Sequence, residues 1–249
     1  MPTSNQTTFK VFTVISALLL TAVVTHNVHS AGDPSSEGKE PSTTDGTQLI
    51  MVNTAEQAAQ LGLEALRQIG KEKKDEEYAR SLGFNSTEEI HQSQLGIPLQ
   101  LYRVPINRLK GFHKEDSLTE LLYDTEILMY PILVDAQARS VVTVRRSLSG
   151  NGWHATGVGY AEFIRLVEKY RTPGADTVML VSDLGLKFLA TRANDEFELI
   201  PLSERSDFGL LPGPPKLSAR ETFAKLSLQA SKDAQLLPKR EATRGTSPN

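Results

Sequence analysis

Two apolar runs separated by four residues constrain the fold of this chain more than any other feature of its sequence. Residues 126–134 are almost continuously apolar, and residues 139–145 are rich in β-branched side chains. The segment between them, Asp135-Ala136-Gln137-Ala138, is short enough to join two strands in a β-hairpin. Pro131 cannot donate a hydrogen bond to a ladder, so we expect it at a bulge or at the start of its strand. The sequence therefore predicts a sheet built around this hairpin.

Further strands are predicted on both sides of the hairpin. Residues 99–104 alternate between apolar and polar side chains before Pro105. Three more apolar segments follow later in the chain, with short connectors typical of hairpins. These segments are residues 177–182, 186–192 and 197–202. Six strands are thus visible as local patterns.

Helices are predicted where apolar residues recur at intervals of three and four. Thr54 and Ser86 each begin a capping-box pattern, and residues 160–170 form an amphipathic segment that ends at Pro173-Gly174. A last helix is expected from Ser218. The elements together predict an α+β domain with a five- to six-stranded, mainly antiparallel sheet that is packed by helices.

The order of these elements over residues 97–202 resembles, in outline, that of PAS-like and profilin-like sensor or scaffold domains. The resemblance rests on element order and implies a fold class.

Composition divides the chain into six segments. They are a signal peptide at 1–30, a disordered linker at 31–48, the α+β core at 49–202, a Pro/Gly linker at 203–217, a C-terminal amphipathic helix at 218–232 and a disordered tail at 233–249.

The N-terminal segment has the layout of an export signal. Lys10 precedes a short apolar run at 11–24, and no acidic residue occurs before Asp33. Small residues around position 30 favour cleavage between Ser30 and Ala31. We therefore expect a periplasmic or secreted protein. Once the signal peptide is cleaved, we expect no membrane span. The alternative is an uncleaved N-terminal helix that anchors the protein.

Composition argues against several classes of chemistry. The 27 basic and 30 acidic residues give a net charge of −3, which offers no general attraction to nucleic acid. The absence of cysteine removes disulfides, thiol nucleophiles and thiolate metal sites. Only His91, His113 and His154 lie beyond the signal segment, and none has metal-ligand spacing. We expect no metal, no cofactor and no nucleic-acid partner.

No motif for nucleophilic catalysis can be assembled from the sequence. Ser147 or Ser149 beside His154 is the nearest approach to a dyad, and a polar turn next to Gly150-Asn151-Gly152 is the favoured explanation of these residues. No catalytic residue is assigned.

Five residues are candidates for ligand binding. Arg145 and Arg146 end a predicted strand, and with Arg103 on a possible neighbouring strand they could form a small anion site, since guanidinium groups bind carboxylate or phosphate in a forked geometry. Trp153, His154 and Tyr160 follow the next turn and could line the rim of a pocket. We expect them to border a cleft at the 145–160 turn.

The sequence is therefore interpreted as an exported, non-enzymatic domain that binds a small molecule or an envelope protein, with no prediction of oligomeric state. One alternative is a cell-envelope hydrolase with a scattered site. A second is an inhibitor or prodomain-like module that acts by strand addition.

Overall fold

A computed structural model describes residues 50–148, 150–193 and 196–236 of the chain, with side chains as far as Ser231. The predicted signal peptide, its cleavage site between Ser30 and Ala31, and the linker lie outside these residues, as does the tail from residue 237. The described residues belong to one compact unit that begins at Ile50, which agrees with the single predicted domain.

Seven α-helices, two 3-10 helices (Ser182–Leu184 and Ser206–Phe208) and nine strands make up the described part of the chain. The α-helices are α1 (Ala55–Lys73), α2 (Glu76–Ser81), α3 (Thr87–Gln92), α4 (Ile106–Leu109), α5 (Leu118–Leu121), α6 (Ala161–Tyr170) and α7 (Ala219–Leu236). The strands are β1 (Gln94–Leu95), β2 (Leu99–Arg103), β3 (Tyr123–Val134), β4 (Gln137–Arg146), β5 (Trp153–Gly159), β6 (Ala175–Val181), β7 (Leu186–Ala193), β8 (Glu196–Pro201) and β9 (Leu217–Ser218).

All nine strands join one sheet, so the expected count of five or six strands was wrong. The order is β5-β4-β3-β2-β6-β7-β8-β9, and β1 pairs with β3 beside β2. The sheet is mixed, because β2 and β6 run parallel while every other described pair is antiparallel. The α+β class itself is confirmed.

The three additional strands lack a strong local signal. Strands β1 and β9 have two residues each and exist through pairing with distant parts of the chain. Strand β5 contains Gly157 and Gly159, which weaken intrinsic strand propensity. Pairing with β4 stabilises this strand in place of intrinsic strand propensity.

The central hairpin forms as expected, with a shorter turn. Strand β3 pairs with β4 from Ile127 and Arg145 down to Val134 and Gln137. Two residues, Asp135 and Ala136, make the turn, with φ of 49° and 61°. These angles belong to the type I′ turn, whose twist matches that of the flanking strands.

Pro131 lies inside β3 rather than at its start. Its carbonyl accepts a hydrogen bond from the Gly96 amide at 2.7 Å. The nitrogen of a strand residue points to the same side as its carbonyl, and here that side faces the gap between β1 and β2. The hydrogen bond that Pro131 cannot donate would therefore fall between the end of β1 and the start of β2, where no strand residue needs it.

Capping determines where the first helices begin. The Thr54 hydroxyl accepts from the Gln57 amide at 3.1 Å, and the Gln57 side chain accepts from the Thr54 amide. The Ser86 hydroxyl accepts from the Glu89 amide at the start of α3. Both N-caps were predicted from the sequence.

Helices cover both faces of the sheet. On one face, α1 to α3 pack on β3, β4 and β5, while α4, α5 and α7 pack on β6, β7 and β8. The register row through Leu128, Gln100, Thr177 and Ala190 places these two clusters on the same face. Helix α6 packs on the opposite face through Ile164.

The C-terminal helix belongs to this packed structure. Phe223 of α7 is fully buried and meets Phe188 of β7 edge to face, with ring centroids 6.0 Å apart. Strand β9, in the segment that composition marks as a Pro/Gly linker, pairs with β8. No helix among the described residues is long and apolar enough to cross a membrane.

Candidate functional site

Four of the five residues singled out in the sequence come together at one end of the β4–β5 ladder. Arg145 pairs with His154, and Arg146 pairs with Trp153. The arginines lie at the end of β4 as expected, and they pair with the first two residues of β5 after the turn.

The two pairs project to opposite faces of the sheet, because successive residues of a strand alternate. Trp153 is half-buried and packs into the cluster beneath α1, together with Val52 and Ala155. Arg145 and His154 lie on the face that carries α6. Each face of the ladder end therefore presents one arginine beside one aromatic ring.

Tyr160 lies at the other end of β5 and does not join this group. It precedes α6 with φ of 59°, and its side chain is 68% exposed and makes no capping hydrogen bond. It follows His154 by six positions of extended chain, a distance of about 20 Å. The single cleft expected at the 145–160 turn does not form around all five residues.

Strand β5 is an outer strand of the sheet. Among the described residues, a partner on the outer side is present at its first residue alone: the Val52 amide donates to the Trp153 carbonyl at 3.0 Å, and the Trp153 amide donates to the Val52 carbonyl at 2.7 Å. Alternation along the strand directs the backbone groups of Ala155 to the same side. No described residue pairs with them there.

The residues of β5 do little to protect this edge. Natural sheets block pairing with lysine, proline, charge, short edge strands or bulges. Strand β5 spans seven residues without a charge or a proline, and its one protective feature is a bulge after Ala155. The opposite edge differs, because β9 has two residues and follows Pro214-Pro215 and Lys216.

Exposed apolar side chains flank the same edge. Ile50 and Met51 precede the Val52 pair and are 45% and 39% exposed, and Leu148 in the β4–β5 turn is 94% exposed. Sequence reasoning did not select these residues. The signal was available, because Leu148 is an isolated apolar residue in a polar turn and the apolar residues at 49–52 follow a long polar segment.

Arg145 and Arg146 are exposed, and neither forms an ion pair with a residue that the structure describes. Other arginines have structural partners: Arg139 bonds Glu89 at 3.1 Å, and Arg171 bonds Glu168 at 2.7 Å. The positive charge at the end of β4 is therefore available to a ligand or partner.

The structure does not assemble two other arrangements considered from the sequence. Arg103 lies on β2, with β3 between it and β4, so it does not extend the arginine pair. Nδ1 of His154 is enclosed and has no hydrogen-bond partner among the described residues, while Ser149 lies outside them. Within the described ranges, no three His, Asp or Glu side chains are placed to hold a metal ion.

Comparison with protein-family models, with curated proteins and with solved structures gave no match. The function is therefore inferred from the geometry of the β5 edge.

Proposed function

We propose that this protein is an exported binding domain that takes up an extended segment of a partner protein along the free edge of β5. The observation that carries the proposal is the change in pairing along that edge. Trp153 is already paired with Val52, and the outward backbone groups of Ala155, two residues further, have no described partner. The Val52 bridge is antiparallel, so an incoming strand that pairs with Ala155 would take the position opposite Ile50, which forms no backbone hydrogen bond with Ala155.

A protein segment fits this edge better than a small molecule does. Main-chain hydrogen bonds supply affinity in strand addition, and alternate side chains supply specificity. The exposed side chains of Ile50, Met51 and Leu148 offer apolar contacts at one end of the edge. Burial of such surface contributes about 25 cal/mol per Å² before the entropic cost of association is subtracted.

The charge at the edge indicates the chemistry of the partner. Arg145 lies one strand inward from the edge on the face of His154, and Arg146 lies on the face of Trp153. Strand β5 itself is uncharged. The partner segment therefore combines apolar residues with at least one Asp or Glu near the end that meets the arginines.

Export is a separate part of the proposal and rests on the N-terminal sequence. The test is N-terminal sequencing of the mature protein from its native host. We expect Ala31 as the first residue, and a start at Pro2 would contradict cleavage.

The edge is tested with peptides selected from a random displayed library against the purified full chain. Gly157→Lys places a charge on the edge, and the substitution fits the fold because a Cβ there meets no atom within 4 Å. Gly111→Lys is the matched control, since Gly111 is also open and lies away from β5. We expect Gly157→Lys to raise the peptide Kd by at least about tenfold, and Gly111→Lys to leave it unchanged.

Backbone methylation distinguishes strand addition from side-chain binding. Methylation of alternate peptide amides should abolish binding, because those amides donate to the edge. Equal binding to both lysine variants would overturn the proposal. A dimer that Gly157→Lys dissociates would identify a second copy as the occupant and would also overturn it.

A further inference from the structure

A second feature of the molecule lies at the opposite end of β5 and is independent of the edge. A cavity of about 530 Å³ opens between the end of α2, the start of α6 and the start of β7. Its volume lies within the range of small-molecule sites, roughly 300–1,000 Å³. Tyr160, the sequence candidate that the β4–β5 ladder end does not include, lies on its wall.

Three cationic side chains from three separate elements line this cavity. They are Arg80 of α2, Arg165 of α6 and Lys187 of β7. All three are exposed, and none forms an ion pair with a described residue. Glu162 is the one carboxylate on the described wall. Cations that line one cavity without ion-pair partners repel one another, and an anion relieves that repulsion.

The remaining wall is apolar and hydroxyl-bearing. Nζ of Lys187 lies 5.2 Å from the ring centroid of Phe163, so a cation adjoins an aromatic surface. Leu166 and Leu202 extend the apolar part. The Ser203 hydroxyl accepts from the Lys187 amide at 3.1 Å, which leaves the hydroxyl hydrogen free to donate.

We propose that this cavity binds a small organic phosphate, with the phosphate against Arg80, Arg165 and Lys187 and an apolar body against Phe163. Two guanidinium groups and an ammonium match a dianion better than a single carboxylate, because each cation can contact a different oxygen. The polar and apolar walls meet at Lys187, so one ligand of modest size can reach both.

Phenyl phosphate is the probe, with inorganic phosphate and phenol as its two halves, in calorimetric titrations of the full chain. We expect phenyl phosphate to bind at least about tenfold more tightly than either half, and to weaken as salt is raised. Arg165→Gln and Lys187→Gln should each raise its Kd by about tenfold. Lys225→Gln, at an exposed lysine of α7 on the face of the sheet opposite α6, is the matched control and should leave the Kd unchanged.

The phosphate could belong to a soluble metabolite or to a lipid headgroup, and vesicles separate the two. Recruitment to phosphatidic acid vesicles but not to phosphatidylcholine vesicles, lost in Arg165→Gln, assigns a lipid source. Phenyl phosphate binding without recruitment assigns a soluble one. Absence of saturable binding up to about 10 mM, or equal binding by wild type and both cavity variants, would overturn the proposal.

Discussion

The turn of the central hairpin places an alanine where the backbone favours glycine. Asp135 and Ala136 both have positive φ, and Ala136 pays a steric penalty because its Cβ approaches the backbone. Asp-Gly is among the preferred pairs for a type I′ turn. The hairpin therefore forms despite its second turn residue, through the long ladder on either side.

Ala136→Gly should stabilise the protein. Relief of the left-handed penalty exceeds the added flexibility of the unfolded chain, and we expect the free energy of unfolding to rise by about 0.5–1 kcal/mol. Urea unfolding followed by circular dichroism measures this change. Ala224→Gly, inside α7, is the opposite control and should lower stability by about 1 kcal/mol. A lower stability of Ala136→Gly would contradict the turn assignment.

One buried and two partly buried tyrosines make stability depend on alkaline pH. Burial raises the pKa of Tyr78, Tyr102 and Tyr130, and for Tyr130 the nearby Glu56 carboxylate raises the pKa further. In the unfolded chain these hydroxyls ionise near pH 10, whereas the folded protein keeps them neutral to higher pH. The unfolded state then binds fewer protons, so the free energy of unfolding falls as pH rises above about 10.

Tyr130→Phe should reduce this loss. The measurement compares urea unfolding at about pH 8 and about pH 10.5, within the range where tyrosine begins to ionise. We expect a smaller fall for Tyr130→Phe than for wild type, whereas Tyr160→Phe, at an exposed position, should behave as wild type. The same fall in all three proteins would refute a role for Tyr130.

Among the elements, α7 connects the end of the described chain to the sheet. Its apolar positions Ala219, Phe223, Leu226 and Ala230 are buried, and Arg220 donates to the carbonyl oxygens of Lys114 and Asp116. Arg220 also pairs with Glu196 at the start of β8. The helix is thus fixed by a packed face and by polar contacts at its first turn.

Two leucines on α7 provide a matched test of this packing. Leu226 is 3% exposed, whereas Leu228 is 67% exposed. Leu226→Asp should lower the free energy of unfolding by roughly 3 kcal/mol or more, because it buries a carboxylate in an apolar cluster. Leu228→Asp should change it by less than about 0.5 kcal/mol. Thermal melts that show equal effects would contradict the placement of α7.

The sequence predicted those elements that are specified by residues close together in the chain. The capping hydroxyls of Thr54 and Ser86 and the periodicity of α6 are visible in short windows of sequence. The pairing of β9 with β8 and the position of Val52 beside Trp153 depend on residues far apart in the chain. No short window contains both partners, so neither could be predicted from the sequence.

At the level of the molecule, one parallel pair joins two antiparallel halves. Strands β3, β4 and β5 form one half, β6, β7 and β8 form the other, and β2 lies between them against β3 and β6. Helix α6 packs on a cluster that includes Leu99, Val141 and Leu189, which come from both halves and from β2. The two halves therefore share one core. The sequence predicted the β3–β4, β6–β7 and β7–β8 hairpins, but it did not predict the parallel pairing of β2 with β6.

The same architecture explains how much of the candidate site could be predicted. Arg145, Arg146, Trp153 and His154 were recognised as strand-end and turn residues, and β-pairing brings them together. The free edge beside them depends on which strand lies outermost in the sheet. That position follows from the complete strand order, which only the folded chain provides.

Amide hydrogen exchange of Ala155, with and without a selected peptide, tests strand addition at β5 most directly. In the free protein the Ala155 amide points away from β4 and should exchange rapidly. With peptide bound, we predict exchange at Ala155 slower by at least about tenfold, with Gly157→Lys abolishing the effect. Unchanged exchange at Ala155 while the peptide protects α6 or residues 80–83 would contradict the account and locate binding at the cationic cavity.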